Sequence, residues 1–186
     1  MMKTTDYLQE VLKELDRASK LVSDHDLEEL VTGILSAKKV LVAGAGRSGF
    51  MLKSFTMRMM HMGIDAYVVG ETVTANFEKE DLLIIGTGSG ETKGLVSIAE
   101  KAKKIGGKVI AVTIFPESTV GNLADYAVKL PGSPKDKTDS DFSTIQPMGS
   151  LFEQLLLLVL DSVILKFMEK KGLDSNTMYG KHANLE

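Results

Sequence analysis

From residue 39 onward the chain alternates short, largely apolar runs with longer stretches of helical periodicity, and this alternation restricts the fold more than any other feature of the sequence. The runs at 39–43, 66–69, 82–86, 108–114 and 126–130 have the length and apolar content of strands buried on both faces. Helical patterns at about 47–62 and 91–105 separate them, with Gly63 and the pair Gly106–Gly107 placed as C-terminal stops. Repeated β-α-β units build a parallel sheet. The expected fold is therefore α/β: a three-layer, doubly wound, five-stranded parallel sheet of the flavodoxin-like kind. Residues 118–124 add one or two helical turns.

Two helices precede the first strand. Leu8, Val11, Leu12, Leu15, Ala18, Leu21 and Val22 make one apolar face over 5–22. Ser23 is the N-cap of the next helix, whose stripe is Leu27, Leu30, Val31, Ile34 and Leu35. At the other end, 148–170 forms a long helix that is apolar nearly all round, from Leu151 and Phe152 to Phe167. Such a helix needs cover on several sides. Part of that cover is expected from a second copy, giving a homo-oligomer, dimer or tetramer; the alternative is that the two N-terminal helices cover it completely. Between the last strand and this helix, PGSPKDKTDSDFSTIQP at 131–147 holds three of the four prolines and no apolar period. A loop of that length is a lid, a binding segment, or simply mobile.

At 186 residues the chain fits one α/β domain spanning 1–186 and is too short for a cofactor domain plus a full substrate domain. Formal net charge is −3 with Lys and Arg scattered among the acids, which argues against a nucleic-acid surface. The absence of cysteine removes disulfides, thiolate metal sites and a cysteine nucleophile, and suits a reducing cytosol. MMKTTDYLQEVLKEL is too charged for a signal peptide. LLLLVL, closed off by Glu153 and Asp161, is far short of a membrane span. The expectation is a cytoplasmic protein without membrane partners.

Two glycine turns carry the chemistry. GAGRSG places Gly44, Gly46 and Gly49 in the G-x-G-x-x-G spacing, with Glu71 as the acid that a dinucleotide reading would set on a ribose. GTGSGET at 86–92 opens a second helix straight from a second strand. In a parallel sheet both turns lie at strand carboxyl ends and face one crevice. Thr87, Ser89 and Thr92 bring hydroxyls, Gly90 and its neighbours expose backbone N–H groups, and a helix N-terminus adds partial positive charge. That set matches a single phosphate monoester. Helix capping alone would use one such hydroxyl, not three.

The strand–GAGRSG–helix and strand–GTGSGET–helix pair resembles the sugar isomerase (SIS) domain, which binds phosphosugars through its second loop. GAGRSGFMLKSFTMRMMHMG, VVGETVT, IIGTGSGETK, IQPMGSLFEQ and the terminal KHANLE are similar to the 6-phospho-3-hexuloisomerase family over essentially the whole chain, and the last two motifs are the more specific. The resemblance implies interconversion of D-arabino-hex-3-ulose 6-phosphate and D-fructose 6-phosphate after formaldehyde fixation in the ribulose monophosphate pathway. It also implies 3-hexulose-6-phosphate synthase as functional partner. Proton transfer through a cis-enediol calls for no cofactor and no metal. The alternatives are another phosphosugar aldose–ketose isomerase, a non-catalytic phosphosugar-binding module, or a nicotinamide enzyme built on GAGRSG.

By resemblance Glu153 is the base, although Ser150-x-x-Glu153 also reads as a capping box in which the carboxylate only reaches back to the Ser150 N–H. His61 and His182 fall in matching motifs and would move protons between the sugar oxygens, one of them lent by a neighbouring subunit; otherwise His61 merely complements a helix C-terminus and His182 is a tail residue. Gly46, Arg47 and Ser48 of the first loop, with Thr87, Ser89, Gly90 and Thr92 of the second, are the expected substrate-binding residues. Arg47 has a second possible role, bridging to an acid such as Glu71.

Overall fold

The computed structural model describes residues 1–133 and 142–185; the middle of the expected 131–147 loop lies outside the described residues. Helices α1 (Thr4–Ser19) and α2 (Asp24–Ser36) lead into the sheet. Ser23 Oγ accepts a hydrogen bond from the Asp26 N–H at 3.2 Å, so α2 starts at the expected N-cap. The chain then runs β1 (Val40–Gly44), α3 (Gly46–His61), β2 (Ala66–Val68), β3 (Leu82–Thr87), α4 (Lys93–Ile105), β4 (Lys108–Thr113), α5 (Thr119–Leu123), β5 (Tyr126–Lys129), α6 (Ser150–Lys171) and α7 (Ser175–Tyr179). All strand pairs are parallel, in the order β2-β1-β3-β4-β5. This is the doubly wound order, and its topological switch point lies between β1 and β3.

Strand residues alternate between two core layers, as the two-residue period of a strand requires. Val40, Val42, Leu82, Ile84, Ile110 and Val112 face α2, α3 and α6. Leu41, Ala43, Leu83, Ile85, Val109 and Ala111 face α4 and α5. α6 buries Leu151, Phe152, Leu155, Leu156, Val159, Leu160, Val163, Ile164 and Phe167, chiefly against α3 and then against α1 and α2. Each such side chain contributes about 1.5–3 kcal/mol on burial. The N-terminal helices do not cover α6 completely: Leu158 and Leu165 stay exposed, as do Phe50, Met57 and Met60 on α3.

Two glycines at the strand ends serve packing. A Cβ on Gly86 would stand 2.9 Å from Leu52 Cδ1 and 3.2 Å from Leu156 Cδ2, and one on Gly44 would stand 2.7 Å from the same Leu52 atom. Both glycines let α3 settle directly on the strand ends, which brings its first turn to the crevice.

Candidate active site

The second turn is ordered by its own side chains. Thr87 Oγ1 accepts from the Gly90 N–H at 3.2 Å, and Ser89 Oγ accepts from the Glu91 N–H at 3.3 Å. Thr92 is the N-cap of α4, yet its side chain makes no capping bond, so the Lys93 and Gly94 N–H groups of the first turn have no side-chain cap. Gly90 has φ +69°, and a Cβ there would stand 1.8 Å from Ser118 Oγ. Only glycine satisfies both demands. Ser118 in turn caps α5 by accepting from the Gly121 N–H at 3.3 Å. The Glu91 carboxylate accepts from the Thr119 N–H at 2.8 Å and the Thr119 hydroxyl at 2.7 Å; these two bonds hold it below the usual carboxylate range. The turns after β3 and β4 are thereby locked together.

Between these turns and α6 opens a cleft of about 820 Å³, of the size that takes a small ligand. Of the anticipated residues, Gly46, Ser48, Thr87, Ser89, Thr92 and Glu153 line it. Gly90 shapes the turn from behind. Arg47 is outside the lining but reaches it indirectly, donating from Nη1 to Ser150 Oγ at 2.9 Å and to Glu153 Oε2 at 3.1 Å. Glu153, only 8 % exposed, is thus held in the first turn of α6 by a guanidinium.

This arrangement corrects two of the alternatives. The capping box does not form: Gly149 is the N-cap, Ser150 is already helical, and the Ser150 N–H donates to the Pro147 carbonyl at 3.2 Å. Arg47 does bridge to an acid, but to Glu153; Glu71 pairs with Lys53 and does not line the cleft. Glu71, the acid that a dinucleotide reading would set on a ribose, is therefore not at the cleft. Met148, just before the N-cap, sits at φ +55°, a conformation unusual for a side chain of its size.

The histidines gather elsewhere. His61 is buried at the C-terminal end of α3 and stacks on His182 with ring centroids 5.4 Å apart; Tyr179 lies 6.2 Å from His182. Arg58 Nη1 approaches His61 Nδ1 at 3.4 Å. With Arg58 and Asp161 the two histidines line a second cleft of about 430 Å³. Burial, then the Arg58 guanidinium and His182, push His61 below the ordinary histidine range. At about 1.5 Å of rise per residue, His61 stands about 20 Å along α3 from Ser48. Within one chain neither histidine meets a ligand held at the glycine turns.

The family model of the SIS domain matches residues 33–158, the stretch that holds both glycine turns and Glu153. The chain belongs to the SIS domain family. Over 185 residues, with all of both chains covered, it is 56 % identical to the 3-hexulose-6-phosphate isomerase of Bacillus subtilis. It is 39 % identical over 171 residues to the 3-hexulose-6-phosphate isomerase of Mycobacterium gastri, covering 92 % of this chain and 85 % of that one. A Methanococcus jannaschii crystal structure, from which a molecular function of 3-hexulose-6-phosphate isomerase was inferred, superposes with a TM-score of 0.84 at 34 % identity, covering 97 % of this chain and 99 % of that one.

The cleft of this SIS domain also has walls that motif reading missed: Glu91, Glu117, Ser118, Ser133 and Phe152. Glu91 lies inside GTGSGET, where the hydroxyls beside it carry the stronger phosphate signal. Ser118 carried a helix-start signal, but nothing local says that the start faces a cleft. Among the described residues no three His, Asp or Glu side chains converge closely enough to hold a metal ion, and no described helix is long and apolar enough to cross a membrane.

Proposed function

We propose that this chain is a 3-hexulose-6-phosphate isomerase, interconverting D-arabino-hex-3-ulose 6-phosphate and D-fructose 6-phosphate through a cis-enediolate. The observation that carries the reading is the full-length identity to the Bacillus subtilis enzyme, joined to a cleft with an uncapped helix N-terminus on one side and the Glu153 carboxylate on another. The phosphate is placed on the turn from Thr87 to Thr92, where hydroxyls, backbone N–H groups and the α4 dipole favour a dianion. That grip fixes the sugar carbons against Glu153. Glu153 takes the proton from C2 of the 3-ulose and returns one to C3, while Arg47, Ser48 and the Gly46 backbone N–H stabilise the oxygens that become an enediolate.

Self-association is part of the proposal. Phe50, Met57 and Met60 on α3 with Leu158 and Leu165 on α6 offer exposed apolar contacts for a dimer or tetramer. A second copy would also supply His61 and His182, which stand too far from the cleft of their own chain, for proton movement between the sugar oxygens. The enzyme is placed in the cytoplasm, fed by a synthase that condenses formaldehyde with a pentulose phosphate.

Incubation with D-fructose 6-phosphate in heavy water tests the reading. Deuterium at C3 of the recovered sugar is expected. Label at C1 would assign an aldose–ketose isomerase instead, and no label would leave a binding module.

A further inference from the structure

Glu14 is a carboxylate on α1, only 7 % exposed, whose partners lie at the far end of the sequence. Its Oε1 accepts from the Ile145 N–H at 2.8 Å; its Oε2 accepts from the Thr144 hydroxyl at 2.6 Å and from Gln146 Nε2 at 2.9 Å. One turn further along α1, Arg17 donates to the Ser143 carbonyl at 3.0 Å and lies 4.8 Å over the Phe142 ring. Burial pushes the Glu14 carboxyl up, but the bonds from Thr144, Gln146 and Ile145 outweigh it and hold the group below the usual carboxylate range. A buried ion bonded this fully holds a single geometry.

What it holds is the entry to α6. From Gln146 the chain passes through Pro147 and the left-handed Met148 to the N-cap Gly149, and one helical turn later presents Glu153. Arg47 grips that turn from the cleft side, and Glu14 grips its approach from behind. We propose that Glu14 is a positioning residue for the isomerisation: it fixes the start of α6 and so aims the Glu153 carboxylate at the substrate carbons. This rests on Glu153 being the base. Glu14 is not among the residues lining the cleft, and the phosphate turn belongs to β3 and α4, so the effect is confined to the chemical step. A misplacement of about 1 Å costs on the order of a hundredfold in rate.

Glu14→Ala and the milder Thr144→Val test this, each read by steady-state kinetics with D-fructose 6-phosphate and by amide hydrogen exchange. For Glu14→Ala, kcat should fall about tenfold to a hundredfold with KM within about twofold. The amides of 144–153 should exchange faster, while those of β3 and the first turn of α4 keep wild-type protection. Thr144→Val should move both readouts the same way by less, and it decides the matter should Glu14→Ala fail to fold. A folded variant with wild-type kcat, or one whose loss lies wholly in KM, overturns the proposal; so does loosening spread evenly through the sheet, which would mark Glu14 as a general stabiliser. If the wild-type protein does not isomerise the sugar at all, the enzymatic reading fails, and the exchange measurement still reports whether Glu14 holds the start of α6.

Discussion

Arg47 and Glu153, 106 residues apart in sequence, meet at 3.1 Å, and the same guanidinium nitrogen reaches Ser150 Oγ at 2.9 Å. The pair ties the first glycine turn to the first turn of α6 and keeps an acidic oxygen at the cleft wall in a defined place. A guanidinium so placed also has spare N–H groups to offer an enediolate.

Glu153→Gln keeps the shape of the side chain and removes the proposed base. Binding of D-fructose 6-phosphate, measured by calorimetry, should stay within about threefold of wild type, while deuterium exchange at C3 falls by a factor on the order of 10²–10⁴. A variant that still exchanges at the wild-type rate would leave Glu153 with a purely structural role.

Gly90→Ala should be among the most damaging small changes in the chain. At φ +69° an alanine costs about 1–2 kcal/mol from the backbone alone, and its methyl would overlap Ser118. Adding Ser118→Gly removes the overlap but not the backbone cost, so the double variant should recover part of the lost unfolding free energy in urea titrations. Equal stability of single and double variants would show that relief of the overlap gains no more than the loss of the Ser118 cap on α5 costs.

His61 gives stability a pH dependence whose sign is fixed. Burial, Arg58 and His182 hold it below the ordinary value of about 6.5, so the unfolded chain binds a proton that the folded chain refuses. The contribution is whole above about pH 6.5 and drains away as pH falls toward the folded-state value. The urea midpoint should therefore drop between about pH 7.5 and pH 5.5, and drop less in His61→Gln. Glu14 has the same sign in a more acidic window, below about pH 4.5, so the two are separable. An unaltered slope in the variant would assign the effect to another group.

Met148→Asn should stabilise the fold by roughly 0.5–1 kcal/mol, since asparagine tolerates the left-handed conformation that Met148 adopts and the Met148 side chain is more exposed than buried. A fall in the melting temperature would mean that the side chain is covered in the working assembly.

The architecture was legible because it rests on local patterns. Five apolar runs became five parallel strands in the doubly wound order, and Ser23 capped α2 as its position implied. Boundaries moved by one to three residues; α4, for example, begins at Lys93 because Ser89 engages the Glu91 N–H in the turn before it. α7 escaped because Ser175–Tyr179 has no apolar period and buries no residue fully, only Met178 packing in part against the core. Six candidate site residues meet in one cleft because strand ends dictate where loops converge. The Arg47–Glu153 pair and the Glu14 anchor were illegible for the opposite reason: each joins residues more than a hundred positions apart, and spacing says nothing about such meetings. The histidines show both sides of this: the helix expected over about 47–62 already set His61 a helix length from the first glycine turn, whereas its stacking on His182, from the far end of the chain, was illegible.

The distances along the chain spanned by these ties set a timetable for biosynthesis. Glu14 waits for Thr144 and Gln146, 130 and 132 residues later, and Arg47 waits for Glu153. Closing loops of this length costs entropy that only an assembled sheet can offset. On the ribosome both glycine turns emerge well before the helix that completes them, and in refolding from urea the recovery of turnover should trail the recovery of helical signal. With Glu153 as the proposed base, turnover in this design waits on the docking of α6.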